Sequence, residues 1–346
     1  MSREPRSALV ELTWARLREF LREPEAIFWV FVFPILLALA LGVAFRGGGP
    51  ERLKVAVRAG AGADSLAEAL RASDGLDPRV LEDEEARNRL RTGKVALVVV
   101  PGDPVVFVFD SARSESRLAR LLADDAIQKA AGRHDPRAVQ ERRITEPGSR
   151  YIDFLIPGLL GMNLMGSGMW GVGFAIVQAR TRRLLKRLIA TPMRKSHYLL
   201  SFALSRLAFL VLEAVTLVGF GWLVFDVRVY GSLLDLSVVA LVGALAFAGL
   251  GLLTASRART VEGVSGLINL VMLPMWVLSG VFFSYAYFPD AFQPFIQALP
   301  LTQLNDALRA VMIDGAGLVQ TLPALGVVVA WGGGSFLVAL RIFRWR

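Results

Sequence analysis

Few side chains in this sequence could carry covalent or acid–base chemistry. There is no cysteine, which excludes thiol catalysis, thiolate metal sites and disulfides. The two histidines, His134 and His197, are too few and too scattered for a metal centre. No G-x-x-x-x-G-K-[ST] phosphate loop occurs, because Gly93-Lys94 lacks both the upstream glycine and the following hydroxyl. ATP-driven work would therefore need a nucleotide site on another chain. One acid, Glu213, lies well inside an apolar run, two turns beyond Arg206. A carboxylate so placed marks a substrate path or a proton relay; the plainer reading is a local pair with an arginine, or helix packing. Asn163, Ser167, Asn269 and Ser279 also interrupt apolar runs, where they can line a path or hydrogen-bond between helices.

The densest chemistry is electrostatic. From Ala179 to Arg206 the chain carries eight Lys or Arg and no acid, between two apolar runs. Such one-sided charge beside a bilayer fixes which end stays in the cytoplasm. Leu184, Leu185, Leu188 and Ile189 make an apolar stripe at helical spacing, with Arg183, Lys186 and Arg187 around it. Thr191-Pro192 breaks that helix, since a residue before proline is pushed out of the α region. A second helix starts near Ser196. The stretch reads either as a topology determinant lying on anionic lipid or as a docking knob for a partner subunit.

These residues need a membrane scaffold to hold them. Mean hydropathy is +0.49, and 54% of the residues are hydrophobic, above what soluble domains carry. The net charge of +9 sits in short segments beside apolar runs, which argues against a nucleic-acid partner. The expected architecture is a polytopic α-helical membrane protein with six transmembrane helices and an inserted small α/β extracytoplasmic domain. Residues 1–26 contain an amphipathic interfacial helix, with Leu9, Leu12, Leu17, Phe20 and Leu21 opposite Arg16, Arg18 and Arg22. Spans are expected at 27–45, 154–178, 207–225, 236–254, 264–284 and 322–340. The long leader makes the first an uncleaved anchor rather than a signal peptide.

Residues 46–150 change character. Strand patterns at Leu53 to Arg58, Val95 to Val100 and Val105 to Phe109 alternate with helical patterns at Asp64 to Ala72, Glu82 to Leu90 and Ser111 to Ala131. That is a small α/β domain with balanced charge and no recognisable nucleophile–base pair. Outside residues 46–150, a domain long enough to cross whatever its charge, eighteen Lys or Arg fall in the leader, the loops 179–206 and 255–263, and the tail 341–346; two, Arg228 and Arg309, fall in the loops of the other side. Both termini are thus expected in the cytoplasm. Residues 285–321 form two short amphipathic helices hinged at Pro300. They re-enter the outer leaflet, with Gly315 at the second helix's C′ position. The glycines of the second span allow close helix approach; Gly332-Gly333-Gly334 implies close packing or a kink.

Two of these stretches resemble a known family. Leu184 to Leu200, LLKRLIATPMRKSHYLL, is similar to the cytoplasmic signature R-L-x-x-T-P-x-R-x-x-x-x-L of type-2 ABC export permeases. Leu299 to Gly315, LPLTQLNDALRAVMIDG, resembles that family's P-L-T-x-x-x-D-A-L-R segment, and the order of elements looks like the branch with a large extracytoplasmic domain. One departure is Arg180-Thr-Arg-Arg183, where many members carry Glu and a Gly-Thr pair.

The resemblance implies a permease in the bacterial inner membrane, paired with a second copy and seated on a cytosolic ABC ATPase that binds ATP and Mg. Docking would use Arg183, Lys186, Arg187, Leu188, Thr191, Pro192, Met193, Arg194 and Lys195, with Arg257, Arg259 and Glu262 as a smaller contact. The path candidates are Asn163, Glu213 and Asn269. Pro300, Asp306 and Arg309 mark the re-entrant segment. Drugs, lipids and polysaccharides are the family's substrate classes. The competing functions are a proton-coupled carrier using Glu213, and a membrane-anchored sensor or assembly factor worked by its outer domain.

Overall fold

A computed structural model describes residues 8–45, 52–134, 137, 148–181 and 195–342. It forms two compact units, Gly47–Ile144 and the rest of the chain.

The smaller unit is a four-stranded sheet in the order β2-β1-β3-β4, from β1 (Leu53–Arg58), β2 (Leu76–Leu81), β3 (Leu97–Val100) and β4 (Val106–Val108). β1 runs parallel to β2 and β3, whereas β4 is antiparallel to β3. Alternation along β1 sorts the core. Val55 and Val57 join Leu97, Val99 and the alanines of α3 (Ala63–Arg71) and α5 (Ser114–Ala130). Ala56 and Val98 face Ala86 of α4 (Asp83–Arg91). Strand β2 has no counterpart in the sequence pattern, because Asp77, Pro78 and Arg79 read as a turn. Proline is tolerated here because β2 is an edge.

The larger unit is helical. An amphipathic helix α1 (Ala8–Leu21) precedes α2, a continuous helix over 24–44 with a π-helical turn at Phe28–Val32. Helix α6 covers 151–181, with a second π-helical turn at Trp170–Phe174. Then come α7 (Lys195–Phe225), α8 (Leu233–Arg257), α9 (Val261–Leu278), the short α10 (Gln293–Gln297), α11 (Pro300–Met312) and α12 (Leu318–Ile342). Among the described residues five helices are long and apolar enough to cross a membrane, and Phe28–Ala44 is a shorter apolar one. With its first turn at Pro24–Ile27 included, α2 measures about 30 Å at the helical rise.

Several element ends differ from the sequence pattern. Helix α6 starts at Tyr151, ahead of the expected 154. Helix α9 stops at Leu278 rather than continuing to 284, because Gly280 adopts φ +67° and turns the chain. Gly315 also takes φ +67°, but α11 is capped at Ile313, so this glycine sits one residue beyond the expected C′ position. Of the run Gly332-Gly333-Gly334 in α12, only Gly332 is required by packing: a Cβ there would lie 2.4 Å from the Ala246 Cα. Gly333 and Gly334 have nothing within 4 Å.

Candidate coupling face and transmembrane path

Arg183, Lys186, Arg187, Leu188, Thr191, Pro192, Met193 and Arg194 lie outside the described residues, and Lys195 is the first residue of α7. The smaller expected contact is described. Arg257 ends α8, Arg259 lies in the turn and Glu262 is in the first turn of α9; all three are exposed. Each helix-end charge opposes the local dipole, basic at a C-terminus and acidic at an N-terminus. Thr260 starts α9 by accepting the Gly263 N–H at 3.1 Å. Arg180, at the end of α6, reaches across and donates to the carbonyls of Ala255 (3.3 Å) and Ala258 (2.8 Å).

The three path candidates separate by environment. Pro34 has no N–H to bond the carbonyl one turn back, which is that of Val30. Asn163 of α6 supplies the missing donor, its Nδ2 lying 3.0 Å from Val30 O. Glu213 is 1% exposed, and its Oε1 accepts the Ser167 hydroxyl at 2.9 Å. Both therefore bridge helices inside the bundle. Asn269 is exposed in the middle of α9, between Gly266, which has nothing within 4 Å, and Leu270, which is 69% exposed.

The hinged segment lies deep among the spans. Asn305 is fully buried; its Nδ2 donates to Ser279 O at 2.9 Å, and its Oδ1 would lie 2.0 Å from a Cβ at Gly161. Gly161 is roughly 15 Å along α6 from Tyr151 at 1.5 Å per residue. Trp331 Nε1 donates at 2.8 Å to the carbonyl of Ala298, beside the Pro300 hinge. Trp331 is itself about 20 Å along α12 from Leu318. Arg309 then ties α11 to two neighbours. It donates to the carbonyls of Phe154 (3.4 Å) and Gly280, and its guanidinium carbon lies 3.7 Å from the centre of the Phe154 ring. Asp306 faces Arg309 at 3.7 Å and accepts the Tyr285 hydroxyl at 3.1 Å.

Sequence reasoning missed a second arginine clamp. Arg150 starts α6, is paired with buried Asp153 at 2.7 Å, and donates to the carbonyls of Phe225 (2.8 Å) and Asp226 (3.2 Å) at the end of α7. The Asp153 carboxylate holds the Arg150 guanidinium above its ordinary pKa. The Arg150–Asp153 spacing of a helix start was the available signal; the α7 acceptors had none, because they come from a distant part of the chain.

Comparison with known proteins identifies the family. The model of the ABC-2 family transporter protein matches residues 24–341. The chain belongs to the ABC-2 transporter family. The family resemblance carried by Leu184 to Leu200 and Leu299 to Gly315 is thereby borne out, and the chain is a polytopic helical membrane protein. Nodulation protein J of Rhizobium meliloti is 27% identical over 75% of this chain and 91% of its own length. The Escherichia coli inner membrane transport permease YhhJ is 25% identical over half of this chain. ABC transporter G family member 20 of Dictyostelium discoideum is 28% identical over 54% of it. The chain spans 46% of YhhJ and 26% of the Dictyostelium protein. In this ABC-2 chain the match runs through α2, α6 and the hinged α10–α11 segment alike.

Proposed function

We propose that this chain is the membrane permease subunit of an ATP-driven exporter. It pairs with a second copy and couples to a separate ATPase that binds ATP and Mg, moving a drug, lipid or polysaccharide outward across the bacterial inner membrane. The observation that carries the reading is Asn269. Helix α9 is apolar and only 22% buried over its span, yet it leaves an amide uncovered in mid-helix. An amide facing lipid hydrocarbon is costly, so this face calls for a second protein surface or an aqueous path. Pairing two copies along α9 would supply both. Asn163 and Glu213 are then helix-packing residues near the path rather than on it.

In this reading α2 is the first of six spans, residues 46–150 lie outside the cytoplasm, and both termini lie within it. The segment 183–195 forms the main ATPase contact, with Arg257, Arg259 and Glu262 the smaller one. Closure of the ATPase dimer moves the docking segment, and the spans follow. Pro192→Ala, which lets the docking helix continue, and Leu188→Asp, which breaks its apolar stripe, test this. Both variants should insert normally while recovery of the ATPase with the purified permease falls at least tenfold, a loss of about 1.4 kcal/mol. Unchanged recovery in both sinks the docking assignment.

A further inference from the structure

Arg180 was not among the residues assigned to the ATPase contact, yet it occupies the junction between both expected contact elements. It ends α6 just before the docking segment, and its Nη1 donates to the carbonyls of Ala255 and Ala258 at 3.3 and 2.8 Å. Those acceptors belong to the last turn of α8 and the turn into α9. Carbonyls there have no donor within their own helix, and a cation also meets the negative end of the α8 dipole. One to two turns back from this clamp, roughly 6 Å along α8 and 10 Å along α6, the two backbones touch. A Cβ on Gly251 would stand 2.9 Å from the Met169 oxygen, and one on Gly173 would stand 2.9 Å from the Gly251 oxygen. Without side chains between them, α6 and α8 have little slack at this level. Past the clamp the chain turns through exposed Arg259 into α9, the helix that carries Asn269.

We propose that Arg180 is a positioning residue that fastens the start of the docking segment to the α8–α9 turn. Displacement of that segment then moves α9 instead of being absorbed in the loop. The inference rests on the coupling function proposed above. It also gives the basic residue at this position a role inside the permease, one that needs no contact between Arg180 and the ATPase.

The absence of cysteine allows a clean test. Leu270→Cys places one spin label on the exposed face of α9. The labelled permease is reconstituted with its ATPase in lipid nanodiscs. Label accessibility to an aqueous relaxation agent is compared between nucleotide-free and vanadate-trapped states. Arg180→Gln should retain ATPase recovery and ATP hydrolysis within about twofold, while the nucleotide-dependent change at Leu270→Cys falls at least fivefold, the lower range of a site-to-site coupling. Arg180→Lys, which keeps a charged donor but not the planar guanidinium, should restore part of the response. If Arg180→Gln fails to fold, a reduced response in Arg180→Lys with association intact carries the same conclusion. An unchanged response overturns the proposal. Loss of ATPase recovery also overturns it, because Arg180 would then be a contact residue. If the unlabelled chain with Arg180 intact does not hold the ATPase, the coupling function fails, and this inference with it.

Discussion

Helices α6 and α9 are both apolar spans carrying an asparagine near mid-length, yet the two asparagines live in opposite surroundings. Over its span α6 is 56% buried, and its Asn163 completes the hydrogen bonding of a neighbour's proline-broken turn. Helix α9 is 22% buried and leaves Asn269 uncovered. The difference teaches that a polar residue in a span carries no function by type alone. What separates packing from path is whether the folded chain already satisfies it. By that criterion the mid-span amide of α6 is satisfied within the chain, and α9 is the helix with unfinished contacts.

The largest effect expected from breaking this contrast is steric. At Gly161 of α6 a Cβ would lie 2.0 Å from the buried Asn305 Oδ1, which is itself held through Ser279. Gly161→Val should therefore lower folding stability by about 1–3 kcal/mol or more and reduce the yield of folded protein. At Gly266 of α9 nothing lies within 4 Å. Gly266→Val should leave monomer yield and melting temperature unchanged while weakening pairing of two copies, read by cross-linking in the membrane. Equal loss of fold in both variants would erase the distinction between the helices.

A smaller and more selective effect is expected from the asparagines themselves. Asn163→Leu leaves the Val30 carbonyl without its donor in an apolar setting, a cost of about 0.6–2 kcal/mol. It should lower thermal stability while leaving the ATPase contact intact. Asn269→Leu should keep or raise the stability of the single chain and reduce the transport-coupled ATP turnover of the assembled complex. Thermal melts beside turnover assays separate the two. Loss of turnover with Asn163→Leu at full stability would put Asn163 on the path.

How far such residues were legible in the sequence depended on the range of their partners. A proline acts locally: Pro300 begins α11 as expected, and Pro34, which sequence reasoning passed over within its first span, orphans a carbonyl one turn back. That Asn163 would meet that carbonyl was not readable, since it depends on which helices become neighbours. The same holds for Arg309 on Gly280 and for Arg150 on Phe225. Strand β2 was lost for the opposite reason: its local pattern, Asp77-Pro78-Arg79, is that of a turn, and pairing with β1 overrides it. Asn269 was visible as an intramembrane polar residue, but only burial distinguishes it from Asn163. The docking residues Arg183 to Arg194 lie outside the described part, so that reading stands on the motif.

The smallest effect expected is at Glu213, where the comparison is sharpest because a charge-bearing group sits on the buried side of it. Its Oε1 accepts the Ser167 hydroxyl at 2.9 Å, joining α7 to α6, and the residue is 1% exposed. In Glu213→Gln the amide oxygen can accept the same hydroxyl, and the amide N–H can donate where a protonated acid would. If Glu213 only packs, the variant should keep the stability of the chain within about 1 kcal/mol, the worth of one ordinary hydrogen bond. Its turnover should follow the same pH profile as the unsubstituted complex, because an amide and a packing acid differ by no proton that the cycle uses. A relay would behave differently. Removing the titrating group would abolish transport or displace its pH optimum while Ser167 stayed bonded and the fold stayed intact. Ser167→Ala gives the complementary measurement. It should lower stability with no change in pH profile under the packing role, and it would shift the profile only if the hydroxyl tuned a working acid. A shifted profile in either variant would move Glu213 to the side of Asn269 and make α7 a second functional helix.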